Sequence, residues 1–185
     1  MVILASASPR RRELMKRITP SFEVATADIN EETSYNIPPL QAVLDIAKRK
    51  CLKVKDNYPN DIVITADTIV VLDNEIIHKP KDSEDAKNIL RKLSNKTHQV
   101  ITAYCINYKS KFIESYVTSD VVFNKLNEKL IEDYVATGSP LDKAGAYGVQ
   151  DGDKYPIVKE VIGSLDNVIG FPVEEIQKDF LKIQK

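Results

Sequence analysis

Four groups of residues could do chemistry in this 185-residue sequence. The first lies in "LASASPRRREL", residues 4–14. An apolar run, Val2 to Ala5, gives way to small polar residues, Ser6 and Ser8 among them. Ser8-Pro9 then opens a helix pattern, because serine caps a helix start and proline suits its first position. The first turn carries Arg10, Arg11 and Arg12. Cations at that end oppose the helix dipole by roughly 0.3–1 kcal/mol each. They make sense there if an anion completes the site, since free backbone N–H groups and guanidinium forks bind the same phosphate. The plain alternative is a solvated basic turn, and on this feature alone the two readings are even.

The second is Asp67, inside the apolar run "VITADTIVV". A buried, unpaired carboxylate is costly, so Asp67 calls for a metal ion or a lysine from elsewhere in the chain. A structural ion pair satisfies it; so does a carboxylate that holds a metal or takes a proton from water. Thr68 follows and points to the other face of a regular strand. The third group is Lys50, late in a helical pattern, and Lys79, which Pro80 biases toward extended backbone. Taken singly, both lysines read better as surface residues. The fourth is the loop "DKAGAYGVQ", where Gly145, Ala146 and Gly148 permit close backbone approach. Gln150 there offers an amide donor and acceptor together, which matches the carbonyl and N–H edge of uracil or thymine. The loop alone reads more simply as a packed turn.

The elements that must hold these residues interleave. Strands are expected at 2–5, 22–28 and 61–72, the last β-branched and buried on both faces. A helix is expected over 9–18 with Leu14, Met15 and Ile18 inward. A polar connection at 31–40 leads to a second, with Leu40, Val43, Leu44, Ala47, Cys51 and Val54 at helical spacing. A third helix, 82–93, starts at Asp82 or Ser83 with Glu84 and Asp85 in its first turn, as the dipole prefers. Residues 98–108 and 111–126 read as a long hairpin turning near Lys109-Ser110. Asn127 and Gly138 bound a fourth helix, 139–153 is a small-residue loop, "KYPIVKEVIG" a strand, and 173–185 an amphipathic helix. The result is a mixed α/β sheet with helices around it.

Composition narrows the function classes. Charge is balanced at -1, so the broad basic footprint of a nucleic-acid binder is missing. No run approaches the roughly 18 apolar residues of a membrane span, and a cytoplasmic protein is expected. Cys51 and Cys105 lack metal-type spacing and read as reduced core thiols. No Gly-rich phosphate loop is present, and His78 and His98, the only histidines, lack the context of a zinc site or a triad.

Seven stretches together resemble the Maf family of nucleoside triphosphate pyrophosphatases, in that family's order and over nearly the whole chain. They are "LASASPRRREL", "INEE", "AKRK", "TADTIVVLDNEIIHKP", "LSNKTHQVITA", "YVATGSPLDKAGAYGVQ" and "GSLDNVIGFP". The resemblance implies one domain over residues 1–185 with a two-lobed α/β fold, like that of inosine triphosphate pyrophosphatases, and an active-site cleft between the lobes. It implies hydrolysis of a nucleoside triphosphate to monophosphate and pyrophosphate with Mg²⁺ or Mn²⁺, in a nucleotide house-cleaning role. Arg10, Thr68 and Gln150 resemble the branch acting on dTTP and UTP, with modified pyrimidine nucleotides left open. The motif match implies that Ser6, Ser8, Arg10 and Arg11 cradle phosphate and that Lys50 and Lys79 add charge on the triphosphate. It places Thr68 and Gln150 among the substrate-binding residues, gives the metal to Glu31 and Asp67, and makes Asp67 the base. The expected partner is the nucleotide, with no nucleic acid and no membrane, and a second copy of the chain stays open. A nucleotide-binding regulator is the rival reading, and such a binder has no need of a carboxylate at position 67.

Overall fold

The computed structural model describes residues 1–31 and 37–185. Strand β1 (Val2–Ala5) is buried from Ile3 onward and leads to helix α1 (Pro9–Met15). Ser8 caps α1 as expected, its Oγ accepting the Arg11 N–H at 3.4 Å. The helix is shorter than 9–18, and Ile18 lies in the turn that follows it. Leu14 and Met15 are buried. Burial of each contributes about 1.5–3 kcal/mol, which outweighs the dipole cost of an arginine first turn.

Strand β2 (Glu23–Ala25) is shorter than the 22–28 expected. Of the connection at 31–40, residues 32–36 lie outside those described. Helix α2 (Pro39–Lys55) buries Ala42, Val43, Ile46, Ala47, Cys51 and Val54. Leu40 and Leu44 are only half-buried. The inward stripe is therefore rotated from the expected one, with Ala42 and Ile46 completing a regular three-four spacing. Strand β3 (Ile62–Leu72) is buried throughout except at Asp67 and Thr68, which are half-buried. Strand β4 (Glu75–Ile77), not expected from the sequence, folds back antiparallel on β3. The turn between them holds Asp73 and Asn74 at φ 51° and 64°, the left-handed pair that a tight hairpin needs and that Asp and Asn tolerate.

Helix α3 (Ser83–Leu93) is capped by Asp82, whose Oδ1 accepts the Asp85 N–H at 2.8 Å. Strands β5 (Thr97–Tyr108) and β6 (Lys111–Phe123) are linked through Lys109 and Ser110. Helix α4 (Glu128–Ala136) is capped by Asn127 and ends before Gly138 at φ 74°. The loop at 139–153 contains three short 3₁₀ turns, Ser139–Asp142, Ala144–Ala146 and Val149–Asp151. Strand β7 (Val158–Ile162), helix α5 (Leu165–Ile169), which the sequence reading passed over, and helix α6 (Val173–Ile183) complete the chain.

The strands form one seven-stranded sheet in the order β2-β1-β3-β5-β6-β7, with β4 on β3. Strand β1 runs parallel to both β2 and β3, and β7 runs antiparallel to β6. This is the mixed α/β arrangement read from the sequence. The chain divides into two compact units. The first comprises Met1–Thr68, Thr102–Val117 and Asp166–Lys185. Its core joins Leu4, Leu14 and Met15 to Ile62, Ile64, Tyr104, Phe171, Ile176 and Phe180. The second comprises Ile69–Ile101 and Thr118–Leu165. There α3 and α4 pack together, and His98, Phe123 and Tyr147 meet edge to face at centroid distances of 4.7–5.4 Å.

Candidate active site

The first unit gathers eight of the ten residues singled out by sequence. Six of them fall into two linked groups, and Ser8 and Arg10 stand with α1. One group begins at Ser6, which is buried where β1 ends. Ser6 Oγ accepts the Ser8 N–H at 3.2 Å and one arm of the Arg11 guanidinium at 3.4 Å. Arg11 Nε donates to the Gly170 carbonyl at 2.8 Å, and Nη2 to Thr68 Oγ1 at 3.0 Å. Thr68 Oγ1 lies 2.9 Å from Thr102 Oγ1, and the Thr102 hydroxyl donates to the Asn167 carbonyl at 3.0 Å. A hydroxyl has one proton to give, so Thr68 must donate to Thr102 while accepting from Arg11. The chain of donors therefore runs from Arg11 through Thr68 and Thr102 to Asn167. Asn167 also fixes β5 by accepting the Thr102 N–H at 3.1 Å.

Burial lowers the pKa of Arg11, against the pull of the Asp67 carboxylate. The arginine at the start of α1 is thus held by specific acceptors and does not simply face water. Arg10 is half-buried and Arg12 exposed on the same turn.

The second group centres on Lys50, from the last third of α2. Its ammonium lies 2.7 Å from Asp67 Oδ1 on β3 and 2.7 Å from Glu31 Oε1. The lysine that the Asp67 carboxylate called for is Lys50. Side-chain exposure is 13% for both Lys50 and Asp67 but 59% for Glu31, so the Lys50–Asp67 pair is the desolvated one. The successive residues Asp67 and Thr68 go to different partners, as alternation along a strand requires.

Lys79 and Gln150 belong to the second unit and are exposed. Lys79 follows β4, and Gln150 sits in the turn Val149–Asp151. Cys51 and Cys105 are buried free thiols, and burial pushes Cys51 up to about 12.

Three contributors escaped the sequence reading: Thr102, Asn167 and the Gly170 carbonyl. "GSLDNVIGFP" carried the signal for the last two. Gly170 has φ 116°, and a Cβ there would come within 3.2 Å of Thr68 Oγ1. The glycine lets its carbonyl reach Arg11 without displacing Thr68.

Known proteins place the chain. It is 42% identical over 176 residues to the dTTP/UTP pyrophosphatase of Pyrococcus abyssi, covering 95% of this chain and 92% of that one. It is 44% identical over 177 residues to the dTTP/UTP pyrophosphatase of Aquifex aeolicus, covering 96% and 92%. The Ham1 protein of Staphylococcus aureus has the same fold, with a TM-score of 0.58 at 16% identity over 100% of this chain and 99% of that one. Residues 1–182 match the model of the family described as Maf-like protein. The chain belongs to the Maf family.

Proposed function

We propose that this chain is a dTTP/UTP pyrophosphatase, a hydrolase that removes nucleoside triphosphates as the monophosphate and pyrophosphate. The relatives of that name span nearly its whole length. The observation that carries the chemistry is the meeting of Glu31 and Asp67 on the single ammonium of Lys50.

Those carboxylates fit a divalent cation. Both are hard oxygen donors held within 2.7 Å of one positive charge. Mg²⁺ ordinarily uses one or two carboxylates, with waters and substrate phosphates filling the other positions. Glu31 and Asp67 would hold it; when bound, it neutralises charge on the phosphoryl oxygens. Among the described residues no group of three or more His, Cys, Asp or Glu gathers at one point.

In the reaction, water attacks the α-phosphorus, the bond from that phosphorus to the oxygen bridging to the β-phosphorus breaks, and pyrophosphate leaves. Asp67 takes the proton of the attacking water. Ser6, Ser8, Arg10 and Arg11 receive phosphate at the start of α1, and Lys50 and Lys79 add positive charge. Positioning and charge stabilisation are the main tasks in such a transfer. Thr68, oriented by its bonds to Arg11 and Thr102, lies beside the base. Gln150 reads the pyrimidine by donating to its 4-carbonyl and accepting from its ring N–H. Cytosine reverses that pattern. No helix among the described residues is long and apolar enough to cross a membrane, and the balanced charge and two free buried cysteines support a cytoplasmic location.

The deciding experiment is a panel of nucleoside triphosphates with Mg²⁺ or Mn²⁺, assayed for pyrophosphate against orthophosphate. UTP and dTTP are expected to lead, with pyrophosphate as the first product. Orthophosphate as the first product, or CTP or a purine triphosphate as best substrate, overturns the assignment.

A further inference from the structure

Gln150 can tell uracil from cytosine only if its amide is held in one orientation, and the second unit contains a device that holds the backbone around it. Tyr134 on α4 is fully buried. Its hydroxyl accepts the Gly148 N–H at 2.9 Å and donates to Asp151 Oδ2 at 2.7 Å. Burial keeps that phenol protonated, and so a donor. Gly148 and Asp151 stand on either side of Val149 and Gln150, so one hydroxyl ties down both flanks of the residue pair. Asp151 Oδ2 also accepts Ser139 Oγ at 2.8 Å, and Tyr155 packs against Tyr134 at a centroid distance of 5.0 Å.

The amide itself depends on this backbone. A Cβ at Gly148 would come within 3.0 Å of Gln150 Oε1 and 2.9 Å of Lys143 Cε. The Gln150 amide oxygen therefore lies close against the Gly148 backbone, in space that a side chain would fill. A shift of residue 148 moves the surface on which the amide rests. Gln150 also lines a pocket of about 380 Å³ together with Tyr134, Ser139, Asp151 and Tyr155.

We infer that Tyr134 is a positioning residue for base selection, acting through Gly148 and Asp151 to fix the Gln150 amide. This rests on the base-selecting role proposed for Gln150. The test measures kcat and KM for UTP and CTP, with thermal melting, in the wild type, Tyr134→Phe, Asp151→Asn, Asp151→Ala and Gln150→Ala. Tyr134→Phe keeps the ring in the core and removes both ties. It is expected to lower the UTP:CTP ratio of kcat/KM about tenfold or more, chiefly through KM for UTP. Asp151→Asn keeps an acceptor oxygen and is expected to retain the ratio. Equal losses on both nucleotides, with kcat falling and KM unchanged, would mark a general structural role and overturn the inference. If Tyr134→Phe does not fold, Asp151→Ala removes one tie with the ring in place, and an unchanged ratio there overturns the inference. A ratio that collapses in Gln150→Ala yet holds in Tyr134→Phe overturns the positioning role alone. A ratio unchanged in Gln150→Ala overturns the base-selecting role, and the positioning role with it.

Discussion

Lys50 Nζ and Asp67 Oδ1 are 2.7 Å apart, with each side chain 13% exposed. Such a pair gives the carboxylate a fixed place. Asp67→Asn keeps the shape and most of the hydrogen bonding but cannot take a proton. Hydrolysis should fall by roughly 10²–10⁴-fold, the usual share of a general base, while nucleotide binding persists. Pyrophosphate release and binding of a non-hydrolysable UTP analogue check this together. Near-normal turnover would remove Asp67 from the role of base; a wild-type chain that binds the analogue yet releases no pyrophosphate would favour the nucleotide-binding regulator instead.

In the proposed function, a divalent cation competes with the ammonium of Lys50 for the carboxylates of Glu31 and Asp67. Lys50→Met leaves Glu31 and Asp67 facing each other without it, and like charges at close range favour a cation. Mn²⁺ titrated calorimetrically into the nucleotide-free protein should bind more tightly to Lys50→Met and more weakly to Asp67→Asn. Activity in excess chelator equal to that in Mg²⁺ would contradict the metal requirement.

Arg11 has a structural task as well as the proposed one. Arg11→Ala withdraws donors from the Gly170 carbonyl, Thr68 and Ser6, a loss of about 1–3 kcal/mol for groups left unsatisfied. Arg11→Lys cannot reproduce the fork and should recover little. The exposed Arg12 is the control, with Arg12→Ala expected within about 0.5 kcal/mol of wild type. Chemical denaturation of the three variants measures it, and an Arg11→Ala chain as stable as wild type would mean its bonds contribute nothing.

Much of this was legible in the sequence, for reasons that differ by element. Asp82 before Glu84 and Asp85, and Asn127 with Gly138, are local signals, and the helices they bound start and stop where expected. The β-branched run of β3 showed its two-sided burial, and Asp67 within it announced that a cation was needed. Which cation could not be read: Lys50 is 17 residues away in sequence, and only the packing of α2 against the sheet brings it there. Ile18 continues the apolar spacing of α1 although the chain already turns there, so the spacing predicts a longer helix than the one that forms. The turn Asp73-Asn74 was a usable hairpin signal that went unread. The hold of Gly170, Thr102 and Asn167 on Arg11 and Thr68 joins residues up to 159 apart, and such contacts leave no periodic trace.

The last prediction concerns acid stability and rests on His98. Its Nε2 lies 2.8 Å from the Tyr147 hydroxyl, and its buried Nδ1 has no hydrogen-bond partner among the described residues. Burial pushes its pKa down from 6.5 to about 4. In the unfolded chain the imidazole takes a proton as pH falls through about 6.5, whereas in the folded protein it resists until about 4. Between those values the unfolded state binds more protons, so stability falls as pH falls; above that window the histidine contributes no pH dependence. The shift corresponds to a loss of up to about 3 kcal/mol by pH 4. Paired carboxylates also lose stability in acid, so the comparison must isolate the ring. Unfolding free energies at pH 7.5 and 4.5 should differ more in the wild type than in His98→Gln, which has no titrating group at that position. An equal difference in the two proteins would mean that His98 charges inside the folded core without cost, contrary to its unpartnered Nδ1.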